Sequence, residues 1–435
     1  MTDFYDALEQ RDRTEREAAL MAALPGHIAH AQRATSAFAT LLAGVDAAAI
    51  DSRSALASLP VTRKHELLAR QIAVRAQRSL RVGRSSEGCS GADAFGGFAA
   101  IGWRGQRTGS GARRVFQSPG PLYEPEGHGS DYWRMARAIF AAGFRAGDLA
   151  HCSFSYHLTP AGAMMESGAH AVGCTTFAGG VGQTELQLQA VADLQPQGYI
   201  GTPSFLKILV EKAQETGTDI ACLAKASVGG EAFPPSLRDW LAARGIQAYQ
   251  SYGTADCGLI AYETSARQGL VLDEAVLLEI VRPGTGDVLP DGEVGEVVVT
   301  VLNPDYPLLR FGTGDLSAVL PGPCPTGRSN VRMAGWLGRA DQTTKVRGMF
   351  VHPGQVAEVV KRHAQVRKAR LVVEGEMAND RMTLKVEVQG APEGLAAALA
   401  ASLREITKLR ADVHLAAPGS LPNDGKVIED ARSYA

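Results

Sequence analysis

The 435-residue sequence contains few cysteines and no pattern that would pair them. The six thiols lie at positions 89, 152, 174, 222, 257 and 324, and none of them forms a Cys-x-x-Cys motif. This spacing argues against the disulfide framework that stabilises small secreted domains, and it fits a reducing compartment. Residues 1–17 carry charges throughout and lack the apolar core of a signal peptide. We therefore expect a cytoplasmic location.

The sequence also lacks an excess of either charge and a long apolar run. The 44 basic and 46 acidic residues give a formal net charge of -2, which argues against a nucleic acid or an anionic membrane as the partner. No run of about twenty apolar residues is present, so the sequence predicts no membrane-spanning helix. Apolar residues make up 45% of the chain, which is typical of a globular protein, and the length suggests two or three domains.

The order of the periodic segments predicts a mixed α/β protein. Helices are predicted over residues 3–23 and 25–44 from their apolar spacing. Between residues 130 and 206 strands alternate with helices, which predicts a parallel sheet covered on both faces. Residues 342–435 combine strands and helices in an α+β pattern.

The stretch from Pro307 to Phe350 holds the most informative motifs. They are Thr313-Gly314-Asp315, Gly338-Arg339, Asp341, and Arg347-Gly348 before a hydrophobic strand. A carboxylate such as Asp315 can accept hydrogen bonds from two neighbouring hydroxyls, which is what a ribose offers. The alternative is that Asp315 caps a turn, because Asp is a favoured turn residue.

This succession of motifs resembles the hinge region of the adenylate-forming ligases, in particular the phenylacetate–CoA ligases. The resemblance implies an α/β fold in which a large, multi-layer N-terminal domain with mixed sheets precedes a small mobile α+β C-terminal domain. It places the domains at residues 1–338 and 339–435, with a hinge near Asp341. It also assigns the ribose hydroxyls to Asp315 and Arg339.

Other segments resemble the family's nucleotide site. The resemblance assigns nucleotide contacts to Ser118, Gly229, Gly230, Glu231, Tyr252, Gly253 and Thr254. Two glycines at the end of a strand let a flat base lie against the backbone, although a simple strand-to-helix turn is the alternative for Gly229-Gly230-Glu231. Asp256 stands where the family has a glutamate that helps to hold Mg²⁺, so it is expected to be catalytic and a metal ligand.

The acyl pocket and the catalytic lysine are likewise expected from the resemblance. The pocket is placed at Tyr156, His157, Gly179 and Ser251, although a histidine beside a tyrosine is often only a packed or surface residue. Lys426 follows Gly425 in a loop like the one whose lysine reaches the family's active site when the small domain closes. A compact cation suits a phosphate, and the alternative is an exposed surface lysine.

One segment departs from the family. Residues 118–125 read Ser-Pro-Gly-Pro-Leu-Tyr-Glu-Pro, where the relatives have a Ser/Thr/Gly loop that ends in Lys-Pro and binds the triphosphate. The prolines remove N–H donors, the loop has no lysine, and Glu124 would repel phosphate. Ala255 also stands where a phosphate-facing threonine is expected. The N-terminal helices and the segment from Leu59 to Lys64 are assigned no chemistry.

The resemblance implies an ATP-dependent ligase that converts an aryl or arylacetic carboxylate to an acyl-adenylate and then to a CoA thioester. The expected cofactors are ATP/AMP, Mg²⁺ and coenzyme A, and a homodimer is one expected assembly. The alternative is a degenerate member that binds adenylates or CoA thioesters without activating a carboxylate. Because the lost contacts lie on the β,γ-phosphate side, the sequence predicts that AMP binds at least as tightly as MgATP.

Overall fold

The computed structural model describes residues 3–79, 92–103, 111–340, 344–347, 349–351, 353–375, 379–390, 393–422 and 426–432. The chain divides into two units, the first made of Met1–Phe233 with Arg238–Gly338 and the second of Pro234–Leu237 with Arg339–Ala435. The expected hinge residue Asp341 lies outside the described residues, as do Gly348 and Gly425.

Helices form the N-terminal part of the first unit. They are α1 (Arg13–Ala34), α2 (Ser36–Leu41), α3 (Arg53–Ala57) and α4 (Lys64–Ser79), with 3₁₀ turns at Ala7–Gln10, Ala47–Ala49 and Ala92–Phe95. The Asp12 carboxylate caps α1 by accepting the N–H groups of Thr14 and Glu15, which satisfies donors that a helix start leaves free.

Helix α1 continues through Pro25, so the expected division into helices at 3–23 and 25–44 is wrong. A proline inside a helix costs about 3 kcal/mol. One face of α1 is nonetheless a continuous buried stripe of Leu20, Leu24, Ile28 and Ala31. Burying each large aliphatic side chain contributes roughly 1.5–3 kcal/mol, so packing outweighs the local cost.

The larger sheet organises the middle of the first unit. Its strands are β4 (Leu149–Cys152), β5 (Thr175–Ala178), β6 (Gly198–Gly201), β7 (Lys225–Gly229), β8 (Gln247–Thr254), β9 (Gly258–Glu263), β10 (Leu270–Leu272), β14 (Val319–Leu320) and β15 (Arg332–Met333). Their order is β14-β15-β10-β9-β8-β7-β6-β4-β5. Strands β5, β4, β6, β7 and β8 are parallel to one another, and the pairs from β8 to β14 are antiparallel.

Helices alternate with the parallel strands, as the sequence predicts. They are α5 (Ala136–Ala141), α6 (Ala161–Val172), α7 (Thr184–Leu194), α8 (Pro203–Thr216) and α9 (Pro235–Ala242). Alternation of this kind brings the carboxyl ends of the parallel strands to one edge of the sheet.

A second sheet and a hairpin complete the first unit. The sheet pairs β1 (Thr62–Arg63), β13 (Phe311–Ser317), β12 (Gly295–Val301) and β11 (Val276–Val281) in that order, and β16 is Gly338–Arg339. The hairpin pairs β2 (Arg114–Ser118) with β3 (Leu122–Glu126). Strands β11 and β12 are buried along their whole length, and their apolar side chains pack with those of α1 in one hydrophobic core.

The second unit has its own hydrophobic core. Its elements are β17 (Thr344–Val346), β18 (Met349–Val351), α10 (Pro353–Arg362), β19 (Val366–Glu374), β20 (Arg381–Val388), α11 (Leu395–Thr407), β21 (Asp412–Ala416) and β22 (Ile428–Asp430). The main sheet has the order β21-β20-β19-β22. Leu399 and Leu403 of α11 belong to the same buried cluster as Leu371 and Leu384 of the sheet.

These sheets and helices confirm the expected α/β fold class with mixed sheets. Within the described ranges, none of the helices is both long enough and apolar enough to cross a membrane. The mobility of the small C-terminal domain stays a prediction.

Candidate functional site

The carboxyl ends of the parallel strands bring together most of the residues expected in the site. In open α/β sheets, ligands bind outside these ends. Strand β4 runs into the segment that holds Tyr156 and His157, β7 into Gly230 and Glu231, and β8 into Asp256. The structure thus brings three separate motifs to one edge of the sheet.

Glycine is required at the end of β7 because the neighbouring strand lies very close. Gly229 is in register with Ser251 on β8. A Cβ added at Gly229 would lie 3.0 Å from both the carbonyl oxygen and the hydroxyl oxygen of Ser251. Gly230 has a φ of +79°, which favours glycine. The result is a backbone surface without side chains at this position, next to the expected acyl-pocket residue Ser251.

Glu231 fixes the start of the neighbouring helix α8. Its Oε1 accepts the backbone N–H of Ser204 at 2.7 Å, and the Thr202 hydroxyl accepts the N–H of Phe205 at 3.4 Å. Both interactions satisfy orphan donors at the helix N-terminus. The Glu231 carboxylate therefore has a structural contact that connects the end of β7 to α8.

The Asp315 carboxylate on β13 is held by two aromatic side chains. The Tyr252 hydroxyl donates to Asp315 Oδ2 at 2.8 Å and also contacts Thr313 Oγ1 at 3.1 Å. Trp336 Nε1 donates to Asp315 Oδ1 at 3.0 Å. These contacts orient a carboxylate, which is a group that can accept hydrogen bonds from hydroxyl donors. Burial, and then the neighbouring Asp315, raises the pKa of Tyr252, which keeps its hydroxyl protonated.

Trp336 is a site residue that the sequence analysis missed. It lies in the loop before Gly338-Arg339, and nothing in its spacing distinguishes it from a packing aromatic. The tryptophan indole is a hydrogen-bond donor only, so its contact can orient Asp315 without competing for hydroxyl donors.

Lys64 is a second missed residue, and it reaches the segment where the sequence has no lysine. Its Nζ donates to the Ser118 hydroxyl at 3.1 Å and to Asp256 Oδ2 at 3.1 Å. It also lies 3.9 Å from Glu124 Oε1. Lys64 begins α4 directly after β1, and that short strand pairs with β13 at Phe311 and Gly312. This pairing places Arg63, the residue before Lys64, in the same sheet as Asp315 on β13.

The electrostatics of this cluster are those of one cation between two carboxyl groups. Burial opposes the charge of Lys64, but Coulombic attraction to Asp256 and Glu124 outweighs it and raises the pKa of Lys64. Burial, and then repulsion by Asp256, raises the pKa of Glu124. The Ser118 hydroxyl donates to Glu124 Oε1 at 2.7 Å. The side chain of Lys64 is 41% exposed, whereas those of Asp256 and Glu124 are 2% and 3% exposed.

Two carboxylate oxygens of this cluster can accept a further ligand. Glu124 Oε2 and Asp256 Oδ1 are buried, and a contact between the two carboxyl groups contributes to the raised pKa of Glu124. Mg²⁺ in nucleotide enzymes is held by one or two carboxylates together with substrate phosphates and water. The donor set present therefore fits Mg²⁺, although the described ranges contain no cluster of three or more His, Cys, Asp or Glu side chains arranged as metal ligands.

Arg114, the basic residue nearest to Ser118 in the sequence, is engaged elsewhere. Arg114 forms a two-point ion pair with Glu126, with Nη2 donating to Oε1 at 2.8 Å. The residue that contacts Ser118 is instead Lys64, which lies 54 positions earlier.

The residues expected in the acyl pocket are spread along the larger sheet: Tyr156 and His157 follow β4, Gly179 follows β5, and Ser251 lies on β8, three strands from β4. Tyr156 packs against α6, where a Cβ added at Gly162 would lie only 2.8 Å from the tyrosine ring. Burial, followed by the neighbouring Cys152 thiol, raises the pKa of Tyr156. His157 is exposed, and its backbone N–H donates to the Ser155 hydroxyl at 3.1 Å. The structure thus places Tyr156 against packed side chains and His157 at the surface.

Gly179 lies above a buried polar network that holds the turn after β5. Gln187 on α7 donates to the carbonyls of Gly180 and Gly182 at 2.9 and 2.7 Å. Its Oε1 lies 2.7 Å from His151 Nε2 and accepts the Ser153 hydroxyl at 2.8 Å. Burial lowers the pKa of His151, which favours a neutral ring. Gln187 was not expected in the site, and it shapes the turn rather than lining the pocket.

In the second unit, the expected catalytic lysine lies at the surface. Lys426 is exposed, and Arg339 is half-buried in β16. Gly253 is exposed, and the Thr254 hydroxyl accepts the N–H of Cys257 at 3.0 Å in the first unit. The roles expected for Lys426, Arg339 and Asp341 stay predictions.

Comparisons with known proteins agree on one family. The family model described as "AMP-binding enzyme" matches residues 135–301. The chain is 33% identical over 308 residues to the phenylacetate–coenzyme A ligase of Aromatoleum evansii, covering 66% of this chain and 69% of that protein. It is 32% identical over 310 residues to the phenylacetate–coenzyme A ligase of Pseudomonas putida, covering 67% and 70%.

Solved structures show a similar fold. A 2-hydroxyisobutyryl-CoA ligase, solved with 2-HIB-AMP and CoA in the thioesterification state, aligns with a TM-score of 0.81 and 21% identity, covering 100% of this chain and 93% of that one. The amide bond synthetase McbA of Marinactinospora thermotolerans aligns with a TM-score of 0.54 and 19% identity, covering 72% and 66%.

Proposed function

This chain belongs to the phenylacetate–CoA ligase family of adenylate-forming enzymes, and we propose that it activates an aryl or arylacetic carboxylate. It is an ATP-dependent acyl–CoA ligase. In the first step the carboxylate attacks the α-phosphate of ATP and releases pyrophosphate, forming an acyl-adenylate. In the second step the thiol of coenzyme A attacks the acyl carbon and AMP leaves.

The observation that carries this proposal is the hydrogen bond that the Tyr252 hydroxyl donates to the Asp315 carboxylate. The two residues are 63 positions apart in the sequence, and each comes from a motif that resembles the family's nucleotide site. We assign the ribose hydroxyls to Asp315, with Arg339 as a second ribose contact. The side-chain-free backbone at Gly229 and Gly230 supports a flat adenine next to it.

The phosphate side of the nucleotide is assigned to the Lys64 cluster. Lys64 supplies an ammonium group 3.1 Å from the Ser118 hydroxyl, and a cation with N–H donors is what an anionic phosphate needs. Mg²⁺ would be held by Asp256 and Glu124 through their buried carboxyl oxygens, and when bound it would neutralise phosphate charge. Thr254 and Gly253 would approach the nucleotide through the turn that leads to Asp256.

The acyl group is assigned to the segment around Tyr156. The ring of Tyr156 offers an apolar surface that suits an aromatic ring. His157 is exposed, and we assign it to the mouth of the pocket rather than to acid–base chemistry.

The second unit is assigned to the conformational part of the cycle. We propose that residues 1–338 and 339–435 act as two domains with a hinge near Asp341. Lys426 would stabilise the negative charge that develops at the α-phosphate during adenylation. A small domain that presents different residues in the two half-reactions would explain how one chain performs both.

Assembly and location complete the proposal. We propose a homodimer that works in the cytoplasm on ATP, a small carboxylic acid and coenzyme A. The free thiols of Cys152, Cys174, Cys222, Cys257 and Cys324 support a reducing environment.

The decisive experiment is carboxylate-dependent exchange of labelled pyrophosphate into ATP. The assay should use a panel of benzoates and arylacetates, with short aliphatic acids as controls. We expect exchange with at least one aromatic acid and consumption of the coenzyme A thiol when that acid is present. Binding of AMP without exchange for any acid would favour a member that only binds adenylates, an alternative that no comparison supports.

A further inference from the structure

A groove on the second unit carries a concentration of positive charge that the proposed function has not used. The groove has a volume of about 470 Å³ and is lined by Arg347, Arg381, Arg404 and Arg410, with Asp412 as its carboxylate. This volume is within the range of small-molecule sites. The chain as a whole has 44 basic and 46 acidic residues, so the arginines reflect a local arrangement rather than a basic protein.

The arginines come from separate elements that meet at one place. Arg381 begins β20, Arg404 lies in the last turn of α11, and Arg410 follows that helix. Arg347 lies in the turn between β17 and β18 with a φ of +47°. A positive φ is uncommon outside glycine and is a reason to look for function.

Arg347 is held in place by its neighbours. Its backbone N–H donates to Asp380 Oδ2 at 2.9 Å, and its guanidinium donates twice to the Asp380 carbonyl, at 3.2 and 2.8 Å. The Asp380 carboxylate also pairs with Arg432 at 3.2 Å. The Asp380 carboxylate thus pairs with Arg432, whereas the Arg347 guanidinium contacts the Asp380 backbone carbonyl and keeps its charge for the groove.

The arginines at the helix end have no such neutralising partner. Among the residues that the structure describes, neither Arg404 nor Arg410 forms an ion pair, and Arg381 reaches Glu374 only at 3.8 Å. All three are exposed. Like charges in one place repel each other unless an anion binds there, so the groove is suited to a negatively charged ligand.

A second groove of comparable size, among the described residues of the first unit, has the opposite charge. It has a volume of about 540 Å³ and is lined by Glu185, Glu211 and Glu215 together with Lys212. That groove is acidic and lies in the first unit. The two grooves therefore differ in the sign of their charge.

We propose that the arginine groove binds the phosphate groups of a small phosphorylated ligand, and that under the proposed function this ligand is the phosphorylated end of coenzyme A. Guanidinium groups bind phosphate through two parallel N–H···O contacts. The ATP phosphates are already assigned to the Lys64 cluster of the first unit, and coenzyme A is the remaining phosphorylated substrate. Its phosphate monoester carries roughly -1.5 to -2 charges at neutral pH, besides its diphosphate.

The test is calorimetric binding of coenzyme A to the full chain and to Arg404→Gln, Arg410→Gln and the double variant. Each lost charge-assisted contact should weaken binding about tenfold, and the double variant about a hundredfold. Arg367→Gln is the control, because Arg367 is exposed on the same unit and outside the groove. Its affinity should equal that of the wild type.

Pantetheine and inorganic pyrophosphate identify the chemical group. Pantetheine has the thiol but no phosphate, so its KM in thioester formation should be unchanged in the double variant while the KM of coenzyme A rises. A different result is a double variant that binds pyrophosphate more weakly but coenzyme A as tightly as the wild type does. That result would assign the groove to free pyrophosphate and overturn the coenzyme A assignment.

Two further results would overturn the proposal. One is coenzyme A binding that is equal in the wild type and the double variant. The other is binding of phosphatidylserine vesicles that depends on Arg404 and Arg410 while coenzyme A does not. Failure of the proposed function is a separate outcome, since it would appear as absent pyrophosphate exchange in the wild type whatever these variants bind.

Discussion

Replacing Lys64 by alanine tests how the chain binds a triphosphate without a lysine in its phosphate loop. The substitution removes the ammonium group that lies 3.1 Å from both Ser118 and Asp256. It leaves the side chains of Glu124 and Asp256 in place. If Lys64 contacts the β- or γ-phosphate, then MgATP should lose a contact that AMP never makes.

The magnitude follows from the kind of contact. A hydrogen bond to a charged group is worth roughly 1.5–3 kcal/mol, and about 1.4 kcal/mol corresponds to a tenfold change in affinity. Lys64→Ala should therefore weaken MgATP binding by about ten- to a hundredfold. The change in AMP binding should be less than about twofold, because Asp315 and Tyr252 are untouched.

Calorimetric titration of each variant with MgATP and with AMP measures this difference directly. Lys64→Arg keeps the charge and should recover part of the MgATP affinity. Lys207→Ala is the matched control, because that lysine pairs with Glu211 on the surface of α8 at 3.6 Å. Equal losses for AMP and MgATP, or no loss for either, would refute the assignment of Lys64 to the phosphates. The related prediction, that the wild type binds AMP at least as tightly as MgATP, is decided in the same experiment.

Three further predictions concern stability, pH and the catalytic cycle. Arg310→Ala should destabilise the protein by about 3–5 kcal/mol in urea unfolding, because it leaves the buried Glu279 without its partner at 3.0 Å; Arg310→Lys should lose less. Burial lowers the pKa of His27 to about 4, so protonation favours the unfolded chain as the pH falls below about 6.5. The free energy of unfolding of the wild type should therefore fall by about 2 kcal/mol between pH 7.5 and pH 5. A His27→Gln variant with the same acid sensitivity would contradict this. Lys426→Ala should abolish pyrophosphate exchange and spare thioester formation from supplied acyl-adenylate; equal loss of both reactions would count against its role.

Local patterns in the sequence predicted much of the architecture. The alternation of strands and helices between residues 130 and 206 predicts a parallel sheet, and β4 to β8 form one. The Thr313-Gly314-Asp315 motif lies on β13, where the Asp315 carboxylate meets the Tyr252 hydroxyl. Such motifs are informative because neighbouring residues in the chain stay neighbours in the fold.

Contacts between distant segments could not be predicted in the same way. Lys64 lies 192 positions before Asp256, and its own neighbourhood resembles an ordinary helix start. Its role depends on the pairing of β1 with β13. The sequences of these two short strands do not show that they pair. Trp336 was missed for a related reason. An irregular loop, rather than a periodic element, brings its indole to Asp315.

The turn after β8 shows why the shifted threonine does not by itself mean lost function. The Thr254 hydroxyl accepts the N–H of Cys257 at 3.0 Å, a local contact that closes the turn around Asp256. Closing the turn buries Asp256 to 7% exposure and places its Oδ2 at the Lys64 ammonium. The Thr254 hydroxyl thus closes the turn that holds the Asp256 carboxylate near Lys64. Under the proposed function, Lys64 at the start of α4 would supply the phosphate contact that the segment 118–125 and Ala255 lack, which is what the Lys64→Ala titration tests.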